Sequence, residues 1–235
     1  MILSDQNVLI TGAAEGLGFS VAQAFSKQNS NLFLVDKNIE KLNSNNINNS
    51  YNLHCDLSNI EDVKKLIEIL NKKKILIDTL IHNAAILYPK SFTETNQDYW
   101  DQVVNITLNS AFILSKYVWH EMKNKKNGVI IFVSSRAGVQ GFRDESAYCA
   151  AKHGLEGLMK SLAIEGESYG IQVFTVTPGM YMKTAMSEKN YEDEYKKKWI
   201  DPINLTPAFL KLARRDFKNL SGKHVNAWDL SNEKK

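Results

Sequence analysis

Asn7-Val8-Leu9-Ile10-Thr11-Gly12-Ala13-Ala14-Glu15-Gly16-Leu17-Gly18 passes from a short apolar run into three glycines, and a helical pattern follows from about Leu17 to Lys27. An apolar run closed by glycine reads as a buried strand. Glycine permits the tight turn that must follow, and without a Cβ it lets the backbone approach a ligand closely. The first N–H groups of a helix have no internal partner, and the helix dipole makes that end positive, so a phosphate suits the place. Three glycines alone are an ordinary tight turn. Strand before and helix after make this the opening of a βαβ unit able to cradle a pyrophosphate.

The same rhythm continues along the chain. Strand-like runs recur at Leu32 to Val35, Tyr51 to Cys55, Leu76 to His82, Val129 to Ser134, Ile171 to Thr177 and Lys223 to Ala227. Between them, apolar residues spaced three and four apart predict helices at Ile60 to Asn71, Gln97 to Lys123, Ser146 to Tyr169 and Pro207 to Arg214. Strands alternating with helices imply right-handed crossovers, hence a doubly wound α/β fold with seven parallel strands and helices on both faces. The asparagine-rich segment from Asn43 to Ser50 reads as a surface loop.

Composition narrows the function classes. A length of 235 residues suits one α/β domain over 1–235 and leaves no room for a separate substrate domain. The formal charge of +3, from 29 basic and 26 acidic residues, offers no broad field for nucleic acid. Lysine runs at Lys72 to Lys74, Lys123 to Lys126 and Lys196 to Lys198 read as solvated segments, the first two at helix ends. Two cysteines, Cys55 and Cys149, make no disulfide framework, and the first residues lack the pattern of a signal peptide. No apolar run approaches the roughly 20 residues that span a bilayer. The expectation is a cytoplasmic protein with no membrane or nucleic-acid partner.

Two further places carry chemistry. Asp36 ends the second strand, where a carboxylate would accept hydrogen bonds from an adenosine ribose and repel a 2′-phosphate. Glu15 adds negative charge, so NAD(H) is favoured over NADP(H), with Lys37 opposing. Tyr148 and Lys152 stand four apart in a helical segment and therefore share a face. A phenol of pKa about 10 is about one part in a thousand ionised at neutral pH. An ammonium about 4 Å away, at an effective dielectric of about 20, contributes up to about 4 kcal/mol, or roughly three pKa units. The pair is thereby brought into the range of acid–base work. Ser135, at the carboxyl end of its strand, lies where open α/β sheets bind ligands.

From Asn7 to about Trp228 the chain resembles the single-domain branch of the short-chain dehydrogenase/reductase family. The resemblance rests on Thr11-Gly12-Ala13-Ala14-Glu15-Gly16-Leu17-Gly18, Asp36, Asp56-Leu57, Asn83-Ala84-Ala85, Asn105, Ser135, Tyr148 with Lys152, and Pro178-Gly179, in family order. It implies a Rossmann-like fold and an NAD(P)(H)-dependent interconversion of a secondary alcohol and a ketone or aldehyde, with no metal. Tyr148 would exchange a proton with the substrate oxygen, Ser135 would hydrogen-bond that oxygen, and Lys152 would hold the nicotinamide ribose. Asn105 would anchor a water linking Lys152 to solvent, Asp56 would meet the adenine, and Asn83 would brace the central strands. A homodimer or homotetramer through the helices that begin near Gln97 and Tyr148 is expected. Rival readings are a non-catalytic dinucleotide-binding regulator, and a dehydratase or epimerase on the same fold.

The pattern also departs from the family. After Pro178-Gly179 the threonine comes one position late, at Thr184, leaving its contact with the nicotinamide open. His82 replaces an asparagine and reads as a hydrogen-bonded structural residue, and Phe174 stands where asparagine is frequent. Between about 184 and 207, where the family carries a substrate lid, charged residues mix with Tyr191, Tyr195 and Trp199. Aromatics beside lysines suit a sugar or an anion, although packing onto the core also accounts for them.

Overall fold

The apolar runs become β1 (Asn7–Thr11), β2 (Asn31–Asp36), β3 (Ser50–His54), β4 (Thr79–His82), β5 (Gly128–Val133), β6 (Ile171–Thr177) and β7 (His224–Asn226). The computed structural model describes residues 3–190 and 193–233. All strand pairs are parallel, in the order β3-β2-β1-β4-β5-β6-β7. The order reverses between β1 and β4, so a crevice opens beyond the carboxyl ends of these two strands.

The helices are α1 (Gly16–Ser26), α2 (Ile39–Ser44), α3 (Ile60–Lys72), α4 (Gln97–Val104), α5 (Ser110–Lys125), α6 (Ser146–Gly166), α7 (Ala185–Asn190), α8 (Asp193–Lys196), α9 (Thr206–Ala213) and α10 (Ala227–Asn232). Alternate strand residues feed two layers. Val8 and Ile10 of β1 pack with Val21 and Phe25 of α1 and Phe209 of α9, whereas Leu9 faces the layer of α3, α5 and α6. With both faces covered, the central strands have no need of polar alternation, and β5 is buried along its whole length. Phe174 fills the α1 side of the core, fully buried, so an apolar residue here adds packing.

Several boundaries differ from the sequence pattern for local reasons. The strand expected from Leu76 begins at Thr79, because Lys74 turns with φ +53° and the Leu76 carbonyl is taken by the Asn7 side chain at 2.7 Å. The helix expected from Gln97 is interrupted by a π-turn at Asn105–Asn109 between α4 and α5. The asparagine-rich loop is shorter than expected, from the end of α2 to Ser50, and turns through Asn46 and Asn49 at positive φ. The chain after Asn226 becomes α10 instead of prolonging β7. No helix among the described residues is long and apolar enough to cross a membrane.

Candidate active site

The glycine turn is packed as closely as its backbone allows. Gly12 and Gly16 have φ of +63° and +58°, and a Cβ on Gly12 would stand 2.9 Å from Asn83 Nδ2. At Gly18 an added Cβ would meet the Gly12 carbonyl oxygen and the Asn83 amide. Asn83 clamps the turn, its Nδ2 donating to the carbonyls of Thr11 and Gly12 at 3.1 and 3.0 Å. Thr11 Oγ1 accepts from the N–H groups of Asn83 and Ala84 at 3.0 and 3.1 Å. Its own proton is left for His82 Nδ1 at 3.0 Å, so His82 carries its hydrogen on Nε2 and donates to the Ile106 carbonyl at 3.1 Å. Burial, and then the charge of Lys152, push the His82 pKa down to about 3, leaving the ring neutral. His82 is therefore structural, as its place in an apolar strand suggested.

Caps distinguish α1 from its neighbours. Asn38, Asn59 and Asn96 cap α2, α3 and α4 with their side chains, whereas Glu15 at the start of α1 makes no such bond. First-turn N–H groups that no side chain satisfies are the groups an anion takes. The α1 mouth opens on a cavity of about 850 Å³ whose lining includes Gly12, Glu15, Gly16, Leu17, Asp36, Asp56, Leu57, Asn83, Ala84 and Ala85. Asp36 accepts from the N–H groups of Ala14 and Asn38, each at 2.9 Å, pinning the glycine turn to the end of β2. Asp56 is desolvated, which raises its pKa, yet hydrogen bonds from Ser58 and the charges of Lys37 and His54 hold it below the usual carboxylate range. Glu15 pairs with Lys41, which offsets the charge that Glu15 adds to this rim and leaves that of Asp36.

Ser135, Tyr148, Lys152, Pro178, Gly179 and Thr184 line the same cavity. Ser135 caps the short 3-10 turn Arg136–Gly138, its Oγ accepting from the Ala137 N–H at 3.2 Å. Tyr148 is 8% exposed and Lys152 1%, with the Lys152 Nζ 5.4 Å from the Tyr148 ring centroid. That ammonium donates to the Val133 carbonyl at 2.6 Å. Burial drives its pKa from 10.5 down to about 7, with the charge of Glu156 pulling the other way. Gly179 has φ +76°, and the Pro178 carbonyl accepts from the Trp228 N–H at 3.2 Å, so α10 braces this turn. Thr184, although one position late, lies over the glycine mouth, its methyl 3.4 Å from where a Cβ on Gly16 would sit.

Asn105 departs from expectation. Its amide donates to the Ser58 carbonyl at 3.2 Å, its oxygen accepts from Asn109 at 2.7 Å, and it borders a separate shallow cavity with Asp98 and Gln102. Ile106 takes the main cavity wall instead. Asn105 begins the π-turn, whose wider angular step differs from that of the α-helix the sequence pattern predicted. In that turn Thr107 is fully buried, and its hydroxyl has no hydrogen-bond partner among the described residues. Tyr191 lies outside the described residues. Tyr195 stacks at a tilt on Tyr181, with ring centroids 5.2 Å apart.

One buried group had no place in the sequence motifs. Glu156, one turn beyond Lys152, accepts from Ser134 Oγ at 2.5 Å, Thr175 Oγ1 at 2.7 Å and His224 Nδ1 at 2.8 Å. Desolvation raises its pKa, but the bonds from His224, Ser134 and Thr175 outweigh that and hold the carboxyl below its ordinary value. A single carboxylate on α6 thus ties together residues of β6, β7 and the end of β5, directly behind Ser135 and Lys152. The available signal was a carboxylate on a helix face otherwise read as buried, since such a group demands partners.

Residues 6–195 match the profile of the short chain dehydrogenase family. A 3-oxoacyl-(acyl-carrier-protein) reductase of Rickettsia bellii is 35% identical over 195 residues, 82% of this chain and 79% of its own. Among solved structures, a Beutenbergia cavernae protein provisionally assigned as an NAD(P)-dependent gluconate 5-dehydrogenase, with bound NADP, superposes with a TM-score of 0.88 at 22% identity, covering 97% of this chain and 99% of that one. A 3-ketoacyl-(acyl-carrier-protein) reductase from Brucella melitensis complexed with NADH gives 0.87 at 21% identity, covering 95% and 97%. At such identities the structural likeness carries the fold alone.

Proposed function

The chain belongs to the short chain dehydrogenase family and is an NAD(P)-dependent oxidoreductase, and from that premise we propose that it interconverts a secondary alcohol and a ketone or aldehyde, with Tyr148 as general acid and base. The observation that carries the reading is the burial of Tyr148 beside Lys152 in one cavity with Ser135 and the uncapped start of α1. The residues fit a dinucleotide, because the turn at Gly12 and Gly18 leaves no space for a Cβ and faces a cavity large enough for nucleotide and substrate together. When bound, the nicotinamide exchanges a hydride with the substrate carbon.

The protein's part is positioning and proton transfer. In reduction, the Tyr148 hydroxyl gives its proton to the carbonyl oxygen as hydride reaches the carbon; in oxidation it takes that proton back. Ser135, whose oxygen already accepts from Ala137, keeps its own proton to donate to the substrate oxygen. Lys152 is a buried amine with pKa about 7, and a phenolate forming beside it would raise its hold on a proton. Phenol and amine therefore share their protons as one coupled unit. The Asn105 side chain donates to Ser58 and accepts from Asn109, so a water held there for Lys152 would use its remaining acceptor capacity.

We favour NAD(H) over NADP(H). The preference rests on Asp36 at the rim, since Lys41 pairs with Glu15 and Lys37 lines the same end. Thr184 would meet the nicotinamide end from above Gly16. One domain over 1–235 would carry both subsites, with a lid at about 184–207, in a cytoplasmic homodimer or homotetramer. Phe112 on α5 and Ile164 on α6 support such pairing, being 52% and 77% exposed large apolar residues on the two expected helices, with open space beside Gly157.

The test compares wild type with Tyr148→Phe on panels of ketones, aldehydes and secondary alcohols with both nucleotides, alongside nucleotide binding by fluorescence. Loss of a general acid predicts a rate lower by about a hundredfold to ten-thousandfold, with nucleotide affinity kept. Undiminished turnover in Tyr148→Phe would refute the assignment.

A further inference from the structure

The charges lining the cavity are sorted by end. Glu15, Asp36 and Asp56, with Lys37 and Lys41 among them, line the end next to β1, β2 and β3. Apart from Lys152, the other charged residues of the lining are Arg136, next to Ser135, and Lys189 and Lys198, on the segment that follows Thr184. Some surface lysines have carboxylate partners, as in Lys64 with Glu61, Lys125 with Asp78, and Lys196 with Asp193 two residues from Lys198. Among the described residues no carboxylate lies within ion-pair distance of Arg136, Lys189 or Lys198. Glu145 is the carboxyl whose charge Arg136 feels; it is half-buried and outside the cavity lining.

Arg136 is held in place by rings. Its guanidinium carbon lies 5.6 Å from the Phe142 ring centroid and 5.5 Å from that of Tyr181, and one of its amines donates to the Tyr181 hydroxyl at 3.3 Å. A guanidinium fixed between aromatic faces loses little freedom on binding, and its remaining donors form a planar fork that matches a carboxylate or a phosphate. It follows Ser135 directly in the chain, at the start of the short turn that Ser135 caps, and both residues line the cavity. Arg136, Lys189 and Lys198 are exposed at the cavity, so solvent screens their mutual repulsion, and an anion bound among them would meet positive charge from each.

We propose that the substrate is an anionic hydroxy or oxo compound, its carboxylate or phosphate held by Arg136 within the field of Lys189 and Lys198. This rests on the oxidoreductase reading of the same site, and names the chemistry at its substrate end. Lys152 is set apart from the three cations by its burial and its bond to Val133. The field also draws the anion in from solution, so its association slows as salt is added.

The test uses matched pairs with the nucleotide-bound enzyme: 3-oxobutanoate against its methyl ester, and fructose 6-phosphate against fructose. The charged member of at least one pair should show kcat/KM at least about tenfold higher, the pair concerned distinguishing carboxylate from phosphate. Arg136→Gln should lower that preference about tenfold or more through KM, the scale of one charge-assisted hydrogen bond, with Arg136→Lys recovering part of it. In parallel, calorimetry of the NADH-saturated protein with malonate and with inorganic phosphate reads the anion site without turnover. Binding that Arg136→Gln abolishes supports the site even where no pair is reduced, in which case the redox reading fails alone. Neutral members used equally well, a preference that survives Arg136→Gln, or no binding of either anion would overturn the proposal while leaving Tyr148-dependent reduction untouched.

Discussion

At the nucleotide end the wall is main chain locked to main chain: Thr11 Oγ1 takes two N–H groups and Asn83 returns two bonds to the Thr11 and Gly12 carbonyls. At the substrate end the wall is side chains, Arg136, Met180, Tyr181 and Met186 among them, carried on short turns between longer elements. A ligand with an invariant pyrophosphate can be met by backbone geometry, which admits few sequences. A variable substrate is met by side chains, which can be exchanged without moving the sheet. Rigidity and specificity are thus placed on different parts of the molecule.

The two constructions meet at Glu156, where the largest effect on stability is expected. Glu156→Ala strands the hydroxyls of Ser134 and Thr175 and the His224 imidazole, and at about 1–3 kcal/mol for each buried group left unpaired the loss is about 3 kcal/mol after partial rehydration. Urea unfolding measures it, with Glu156→Gln losing less. Because the folded carboxyl titrates below its unfolded value, its stabilisation is complete above the ordinary carboxylate range near pH 4.3 and fades as pH falls through the lowered value. The gap between wild type and Glu156→Gln should therefore close in acid. A gap independent of pH would separate the cluster from the charge of Glu156.

Next comes Gly18→Ala, which pushes a methyl into the Gly12 carbonyl and the Asn83 amide. Overpacking of this kind costs about 1–3 kcal/mol, and nucleotide binding should weaken about tenfold or more. Gly141→Ala is the counterpart on the substrate side of the strand ends, between Arg136 and Phe142, with nothing within 4 Å of the added carbon; its melting temperature and nucleotide affinity should match wild type. Equal responses at the two glycines would dissolve the contrast between a packed end and a tolerant one.

Smaller shifts are expected at the rim. Asp36→Asn should weaken NADH binding relative to NADPH by about tenfold or less, the scale of one partly screened charge. An unchanged ratio would move the basis of nucleotide preference away from Asp36. Thr184→Ala removes one contact above Gly16 and should change nucleotide affinity only a few-fold, by titration.

How much was legible in the sequence follows the same division. The glycine turn, Asp36, and Tyr148 with Lys152 were readable because turn and helix geometry leave little choice of residue at fixed spacings. The place of Asn105 was not legible, because ordinary helical periodicity does not anticipate the π-turn that it begins, and Ile106 lines the cavity while Asn105 does not. The pairing of Glu15 with Lys41 spans 26 positions, and the bonds of Glu156 to Thr175 and His224 span 19 and 68. Such partners are brought together by strand order, which motifs do not record. Arg136 stood beside a recognised serine, yet the role proposed for it depended on its place between the Phe142 and Tyr181 rings, a property of the folded surface.

The proton sharing proposed for Tyr148 and Lys152 is read from the pH dependence of the hydride step in a single turnover, in wild type and in Lys152→Met. In the alcohol-oxidising direction the wild-type rate should rise with an apparent pKa well below the phenol's ordinary value of about 10, and Lys152→Met should move that break up toward about 10 and lower the rate at neutral pH. A break at the same pH in both proteins would show that Tyr148 titrates independently of Lys152.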